Sequence, residues 1–311
     1  MLFRWTVNGD VAEAGAAKQS HATASKSALW SRILGNLNPR TDPPGRRDDR
    51  EGSVAGGDGH VNLCLMGGST VDIPTPDGVA DAYLARPDDG PHPGVLFVMD
   101  AYGLRPTIEE MVDRIAADGY VVLAPNVFYR AGRAPVLLMP DVTDPEQRAR
   151  FFQSLRPMID QLTPEAIEAD AAAYLDYLEG VARHGPVGIT GYCMGARIGW
   201  RIAAAYPDRV AAVAGFHAGG LATDAPDSPH RSADALKAEL YFGFADQDQS
   251  MTAEQIATLE QALDEAGARY RSEVYEGAKH GYTMADTAAY DEPARERHFR
   301  ELRALLERAL G

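Results

Sequence analysis

From residue 94 onward the chain repeats one alternation: a short, near-continuous apolar run, then a longer stretch whose apolar residues recur every three or four positions. The runs are GVLFVMD (94–100), YVVLAPNVF (120–128), PVGITGY (186–192), VAAVAGFHAG (210–219) and AELYFGFAD (238–246), with the more polar RYRSEVYEG (269–277) as a sixth. Runs without a polar face read as strands covered on both sides. The stretches RPTIEEMVDRIAADG, TPEAIEADAAAYLDYLEGVARHG, GARIGWRIAAAYPD, TAEQIATLEQALDEAG and PARERHFRELRALLERAL have helical periodicity and are bounded by Pro, Thr, Asp or Gly. Strands joined through helices need crossover connections. The predicted class is therefore α/β, with a mostly parallel central sheet and helices on both faces. Upstream, VDIPT and GVADAYLARP flank the turn residues PDG and predict an antiparallel hairpin at the N-terminal edge of the sheet.

Residues 1–66 have a different character. HATASKSALWSRILGNL can form one weak amphipathic helix, but NPRTDPPGRRDDREGSVAGGDGH is polar, rich in Pro and Gly, and lacks apolar periodicity. The expectation is a disordered extension over 1–66 followed by one domain over 67–311. A net charge of −15 argues against nucleic acid or an anionic membrane as partner, since a polyanion is repelled over most of the surface. Two cysteines, Cys64 and Cys193, are too few for a disulfide framework, and no apolar run approaches the roughly 18 residues of a membrane span. These features predict a cytoplasmic protein, as a monomer or small homo-oligomer. GYCMGARIG lacks the lysine of a phosphate-cradling loop, and no His/Cys/Asp cluster has metal-ligand spacing, so neither cofactor nor metal is expected.

The chemistry concentrates where the run PVGITGY gives way to helical periodicity. Gly191, Cys193 and Gly195 form G-x-C-x-G at that corner. A strand-to-helix corner holding a nucleophile in a strained conformation needs small residues two positions to either side, because strand and helix pass close together. The turn aims the side chain out of the core and presents the next backbone N–H, that of Met194, where an oxyanion would develop. A free cysteine is otherwise most often a small buried hydrophobe. The two flanking glycines favour the nucleophile.

A thiol nucleophile needs a base and the base an orienting acid, supplied in the chain order nucleophile, acid, His. Of the eight histidines, His280 in EGAKHGY directly follows the last strand signal and is the expected base. His217 in GFHAGG comes too early in that order and reads as a pocket-wall or structural residue. His298 is expected on a solvated face of the last helix. The acid should follow ELYFGF, where ADQDQSM offers Asp246 and Asp248. The apolar Met251 three positions on favours Asp248, with Asp246 as the alternative.

With these residues placed, the chain from Val71 onward resembles the dienelactone hydrolase family of α/β-hydrolases. GYCMG matches the family's G-Y-C-x-G signature, and Asp100 in FVMDAYGLR stands where the family carries an acid, normally glutamate, which is one methylene longer. The resemblance implies an α/β-hydrolase fold and a Cys193, Asp248, His280 triad. It further implies oxyanion donors at the Ala101 and Met194 N–H groups, and a resting contact between Asp100 and the Cys193 thiol. Family members acting on dienelactone hold its carboxylate with arginines, one of them four residues after the catalytic histidine. Here that position is Met284, and Arg148 or Arg150 in EQRARFF are the candidates for the other, with Phe152 and Tyr282 as possible pocket walls. The expected activity is hydrolysis of a small-molecule ester or lactone less anionic than dienelactone, through an acyl-cysteine. The alternatives are a non-catalytic ligand-binding protein of the same fold, or a thioesterase or acyl-transfer enzyme using the same residues.

Overall fold

Hydrogen bonding gathers the apolar runs into one eight-stranded sheet in a computed structural model that describes residues 67–141 and 143–311. The extension predicted over 1–66 lies outside the described residues. The strands are β1 (Ser69–Thr75), β2 (Gly78–Ala85), β3 (Gly94–Val98), β4 (Val121–Pro125), β5 (Val187–Tyr192), β6 (Val210–Phe216), β7 (Glu239–Ala245) and β8 (Tyr270–Tyr275), in the spatial order β1-β2-β4-β3-β5-β6-β7-β8. β1 and β2 form the expected antiparallel hairpin at one edge, β2 meets β4 antiparallel, and all further pairings are parallel. Every residue of β3, β4 and β5 is buried, as strands covered on both faces must be.

Among the described residues six α-helices accompany the sheet: α1 (Pro106–Ala117), α2 (Pro145–Asp160), α3 (Pro164–Val181), α4 (Met194–Ala205), α5 (Ala253–Glu265) and α6 (Glu292–Leu310). Successive residues of β5 show which side each lies on. A Cβ at Gly188 would meet Leu306 of α6, whereas the next residue, Ile189, packs against Gly199 of α4. Because side chains alternate across a strand, α6 and α4 occupy opposite faces. α1 joins α6 through the Arg114–Glu296 pair, and α3 packs beside α4.

The hairpin, the parallel strands and five helices match the sequence expectations; α2, which contains EQRARFF, is the helix without a clear apolar period. Asp144 caps it by accepting from the Glu146 and Gln147 N–H groups, and Pro145 opens it. Its weak apolar stripe buries only Phe151 and Leu155, and Pro157 interrupts it, so its periodicity is poor.

His298 departs from expectation. It is fully buried, with its ring 4.7 Å from Phe216 and 4.0 Å from Phe299. Its Nδ1–H donates to the Arg295 carbonyl and its Nε2 accepts from the Tyr192 hydroxyl, so the neutral ring is satisfied without solvent. Burial, together with the nearby Arg295 and Arg114 charges, pushes its pKa down to about 3.

Candidate active site

Parallel strands put all their carboxyl ends at one edge of the sheet, and the residues singled out in the sequence gather there. Asp100, Cys193, His217, Asp248 and His280 follow β3, β5, β6, β7 and β8 respectively. That edge is where open α/β sheets bind ligands.

Cys193 occupies the corner between β5 and α4 with φ 55° and ψ −116°, a region that L residues rarely adopt and that costs about 1–3 kcal/mol. Packing enforces it. A Cβ at Gly191 would lie 2.4 Å from the Gly195 carbonyl oxygen, and one at Gly195 would lie 2.2 Å from that of Val98. Only glycine permits the helix start to approach both strands so closely. The Cys193 N–H donates to the Phe216 carbonyl, 3.1 Å away, which anchors the strained residue to β6. Its side chain is partly exposed at the start of α4.

His280 Nδ1 lies 2.6 Å from Asp248 Oδ2. Ser250 completes this contact: its hydroxyl donates to Asp248 Oδ1 at 2.7 Å and its oxygen sits 3.1 Å from His280 Nδ1, where it can only accept. The proton is therefore on Nδ1, which leaves Nε2 as the reacting nitrogen. Burial alone would lower the pKa of His280. The neighbouring Cys193, the hydrogen bond to Asp248 and the charge of Asp248 outweigh it and hold the pKa well above the ordinary histidine range. For Asp248, burial is likewise outweighed by the bond and charge of His280 and by Ser250, and its pKa is lowered. Asp246 turns the other way and accepts from the Gly277 N–H at 3.1 Å.

Neither the Ala101 N–H nor the Met194 N–H donates to another group among the described residues, so both are available to an incoming oxygen. Asp100 behaves differently from expectation. Its Oδ1 accepts from Arg105 Nη1 at 2.7 Å and from the Tyr102 N–H at 3.0 Å, and its Oδ2 accepts from Arg105 Nη2 at 3.0 Å. No hydrogen bond joins Asp100 to Cys193 among the described residues. A fork-shaped guanidinium that satisfies both carboxylate oxygens outcompetes a thiol, a weak donor. Arg105 also binds Asp286, in the loop after His280. Sequence reasoning missed Arg105, Asp286 and Ser250, and only Ser250 has a local signal: Asp followed two positions later by a backbone donor is an Asx-turn pattern.

His217 packs edge-on against His280, ring centroids 5.2 Å apart, and is fully buried. Burial and the His280 charge keep its pKa well below the usual range, so it remains a neutral neighbour, held by Thr283 at 2.8 Å. Tyr282 and Met284 are core residues, so Met284, four residues after His280, lies in the interior. Arg150 is exposed beside Glu146, whereas Arg148 is half-buried. Arg148 lowers the pKa of Tyr102, although burial and the charges of Asp100 and Cys193 dominate and raise it to about 12. Tyr102 packs at tilted angles against Phe151 and Phe152, ring centroids 5.5 and 5.9 Å apart, in one aromatic cluster.

Comparison with known proteins points the same way as the geometry. The model of the dienelactone hydrolase family matches residues 80–310. An Escherichia coli K12 protein provisionally named carboxymethylenebutenolidase is 31% identical over 227 residues, covering 70% of this chain and 78% of that protein. The mouse carboxymethylenebutenolidase homolog is 27% identical over 217 residues, covering 68% and 80%. A solved structure of a provisionally assigned dienelactone hydrolase from Klebsiella pneumoniae superposes with a TM-score of 0.67 at 24% identity, covering 77% of this chain and 98% of that one. Among the described residues no helix is long and apolar enough to cross a membrane.

Proposed function

The chain belongs to the dienelactone hydrolase family and is an ester or lactone hydrolase, and from that premise we propose that it works through an acyl-cysteine formed on Cys193. The observation that carries this reading is the 2.6 Å contact of Asp248 Oδ2 with His280 Nδ1, at the sheet edge where the strained Cys193 corner also lies. The thiolate sulfur attacks the ester carbonyl carbon, forming a C–S bond and pushing the carbonyl electrons onto oxygen. The N–H groups of Ala101 and Met194 stabilise that oxyanion. As the tetrahedral centre collapses, His280 gives its Nε2 proton to the departing alkoxide, while Asp248 keeps the ring in one tautomer and offsets its charge. Water then attacks the thioester, His280 takes the proton, and Cys193 leaves as thiolate. A thiol suits this route because its ordinary pKa lies far below that of a serine hydroxyl, so a neighbouring imidazole is enough to ionise it.

The substrate is an ester or lactone less anionic than dienelactone. Met284 is buried where dienelactone-cleaving relatives carry an arginine, and Arg150 is a solvated surface charge. Partners are small molecules of this kind, handled in the cytoplasm.

A panel of short aryl esters, dienelactones and acyl thioesters, assayed with wild type and Cys193→Ala, tests the reading. The expected result is ester or lactone turnover that falls at least ~10³-fold in the variant, with an acyl adduct on Cys193 in quenched wild type. Near-normal turnover by Cys193→Ala would falsify the covalent route. Preference for thioesters would move the enzyme to acyl-thioester chemistry on the same residues.

A further inference from the structure

Arg105 uses all five of its N–H donors, and the acceptors share a pattern. Nη1 donates to Asp100 Oδ1 at 2.7 Å and to the Gly103 carbonyl at 3.0 Å, and Nη2 donates to Asp100 Oδ2 at 3.0 Å. These acceptors are the two ends of one tight turn, closed by Gly103 N–H to Asp100 O at 3.2 Å, with Gly103 at φ +90°. Ala101 is the first inner residue of that turn, and its N–H is free. The remaining donors, Nε at 2.6 Å and Nη2 at 3.1 Å, take both oxygens of Asp286, six residues beyond His280. The Arg105 side chain is 7% exposed, and its guanidinium spans the turn that carries Ala101 and the loop that carries His280.

We infer that Arg105 is a positioning residue for the oxyanion donor: it holds the Ala101 N–H at a fixed distance from the Cys193 and His280 side of the site by gripping both ends of its turn and tying that turn to the base loop. The physical need is specific. Met194 N–H is fixed by the helix it begins, but Ala101 lies in a four-residue turn after β3, with no ladder bond of its own. A donor stabilises an oxyanion only within about 2.7–3.1 Å, and a misplacement of about 1 Å can cost ~10²-fold in rate. A planar fork with five donors can fix a turn from both ends and a second loop at once; a lysine cannot.

The inference rests on the acyl-cysteine reading, and one comparison separates the two. Acylation by an aryl ester passes through an oxyanion, whereas alkylation of the same sulfur by iodoacetamide is a direct displacement that develops none. In a Cys64→Ser background, which leaves one thiol, the pre-steady-state burst and the alkylation rate are measured for wild type, Arg105→Met and Arg105→Lys. Arg105→Met is expected to lower the acylation rate ~10²-fold, with KM and the alkylation rate each within about 3-fold of wild type, and Arg105→Lys to fall between. Should Arg105→Met fail to fold because Asp100 is left buried without its partner, Arg105→Met combined with Asp100→Asn removes that charge and is read in the same way. An unchanged burst overturns the inference, and so does a parallel fall of burst and alkylation, which would place Arg105 on the thiol or on the fold. If Cys193→Ala keeps turnover while Arg105→Met still loses it, the nucleophile reading fails on its own.

Discussion

Asp248 and Asp246 stand two residues apart in one loop, yet only Asp248 faces His280, 2.6 Å from its Nδ1, while Asp246 accepts from the Gly277 N–H at 3.1 Å. The two carboxylates therefore divide: Asp248 contacts the ring, and Asp246 ties its loop to the turn after β8. Asp248→Asn should fold normally and lower kcat by ~10³ to 10⁴, because the amide can hold the wrong tautomer of His280. Asp246→Asn should lose no more than one hydrogen bond between two loops, about 1 kcal/mol of stability, with turnover within 2-fold. Steady-state kinetics and thermal melts of both variants decide this, and the reverse pattern would exchange the roles.

The same contacts set a pH dependence. His280 is held protonated above its usual range by Cys193 and Asp248, so the stability it contributes is complete below about pH 6.5 and fades as pH rises through its folded-state value. In kcat/KM for acylation, the alkaline limb should accordingly lie well above pH 6.5. Asp248→Asn removes one of the groups favouring the imidazolium, so the residual activity of that variant should show an alkaline limb displaced to lower pH. An unmoved limb would mean that Asp248 does not bear on His280.

Glycine is required at the corner for steric reasons. Gly195→Ala places a methyl 2.2 Å from the Val98 carbonyl oxygen, a backbone atom that cannot step aside alone. A loss of about 3 kcal/mol or more is expected, or failure to fold. Gly180 in α3 is the control: nothing lies within 4 Å of its added Cβ, and Gly180→Ala should be neutral or stabilising by up to about 1 kcal/mol. Chemical denaturation of the two variants gives the comparison.

The legibility of the site followed the range of its interactions. Cys193 could be read because its demands are local, with two glycines within two residues of it at the meeting of two periodicities. His280 and Asp248 could be placed because parallel strands deliver successive loops to one edge in chain order. Arg105 could not, since its partner Asp286 lies 181 residues away and nothing in either segment encodes the pairing. The departure at Asp100 has the same origin: a resting contact with the thiol depends on what else competes for the carboxylate, which only the tertiary structure reveals. His298 was legible in principle. It falls in register with the buried Ala294, Leu302 and Leu306 along α6, and position was the better guide than polarity.

That buried histidine yields a further test. With its pKa pushed down to about 3, His298 takes up protons more readily when the chain unfolds, so the stability it contributes is present above about pH 6.5 and lost progressively as pH falls toward 3. His217, also fully buried and held neutral, works in the same direction. Each such group costs up to about 1.4 kcal/mol per pH unit in that window. His298→Gln should be less stable than wild type at pH 7 but should lose stability less steeply between pH 6.5 and 4, as read from denaturant midpoints. Parallel pH profiles would show that His298 does not titrate on unfolding.

The guanidinium that joins residues 105 and 286 also orders events in time. Chains are synthesised from the amino end, and β3, the corner at Cys193 and the Ala101 turn all precede the loop that supplies His280 and Asp286. A nascent chain therefore carries Cys193, and the Asp100 grip on Arg105, before His280 and Asp286 exist. Closing so long a loop adds little entropic cost beyond a short one, so the late segment can still dock readily once made. The contact between Arg105 and Asp286 can form only after β8 and the loop beyond it have been made.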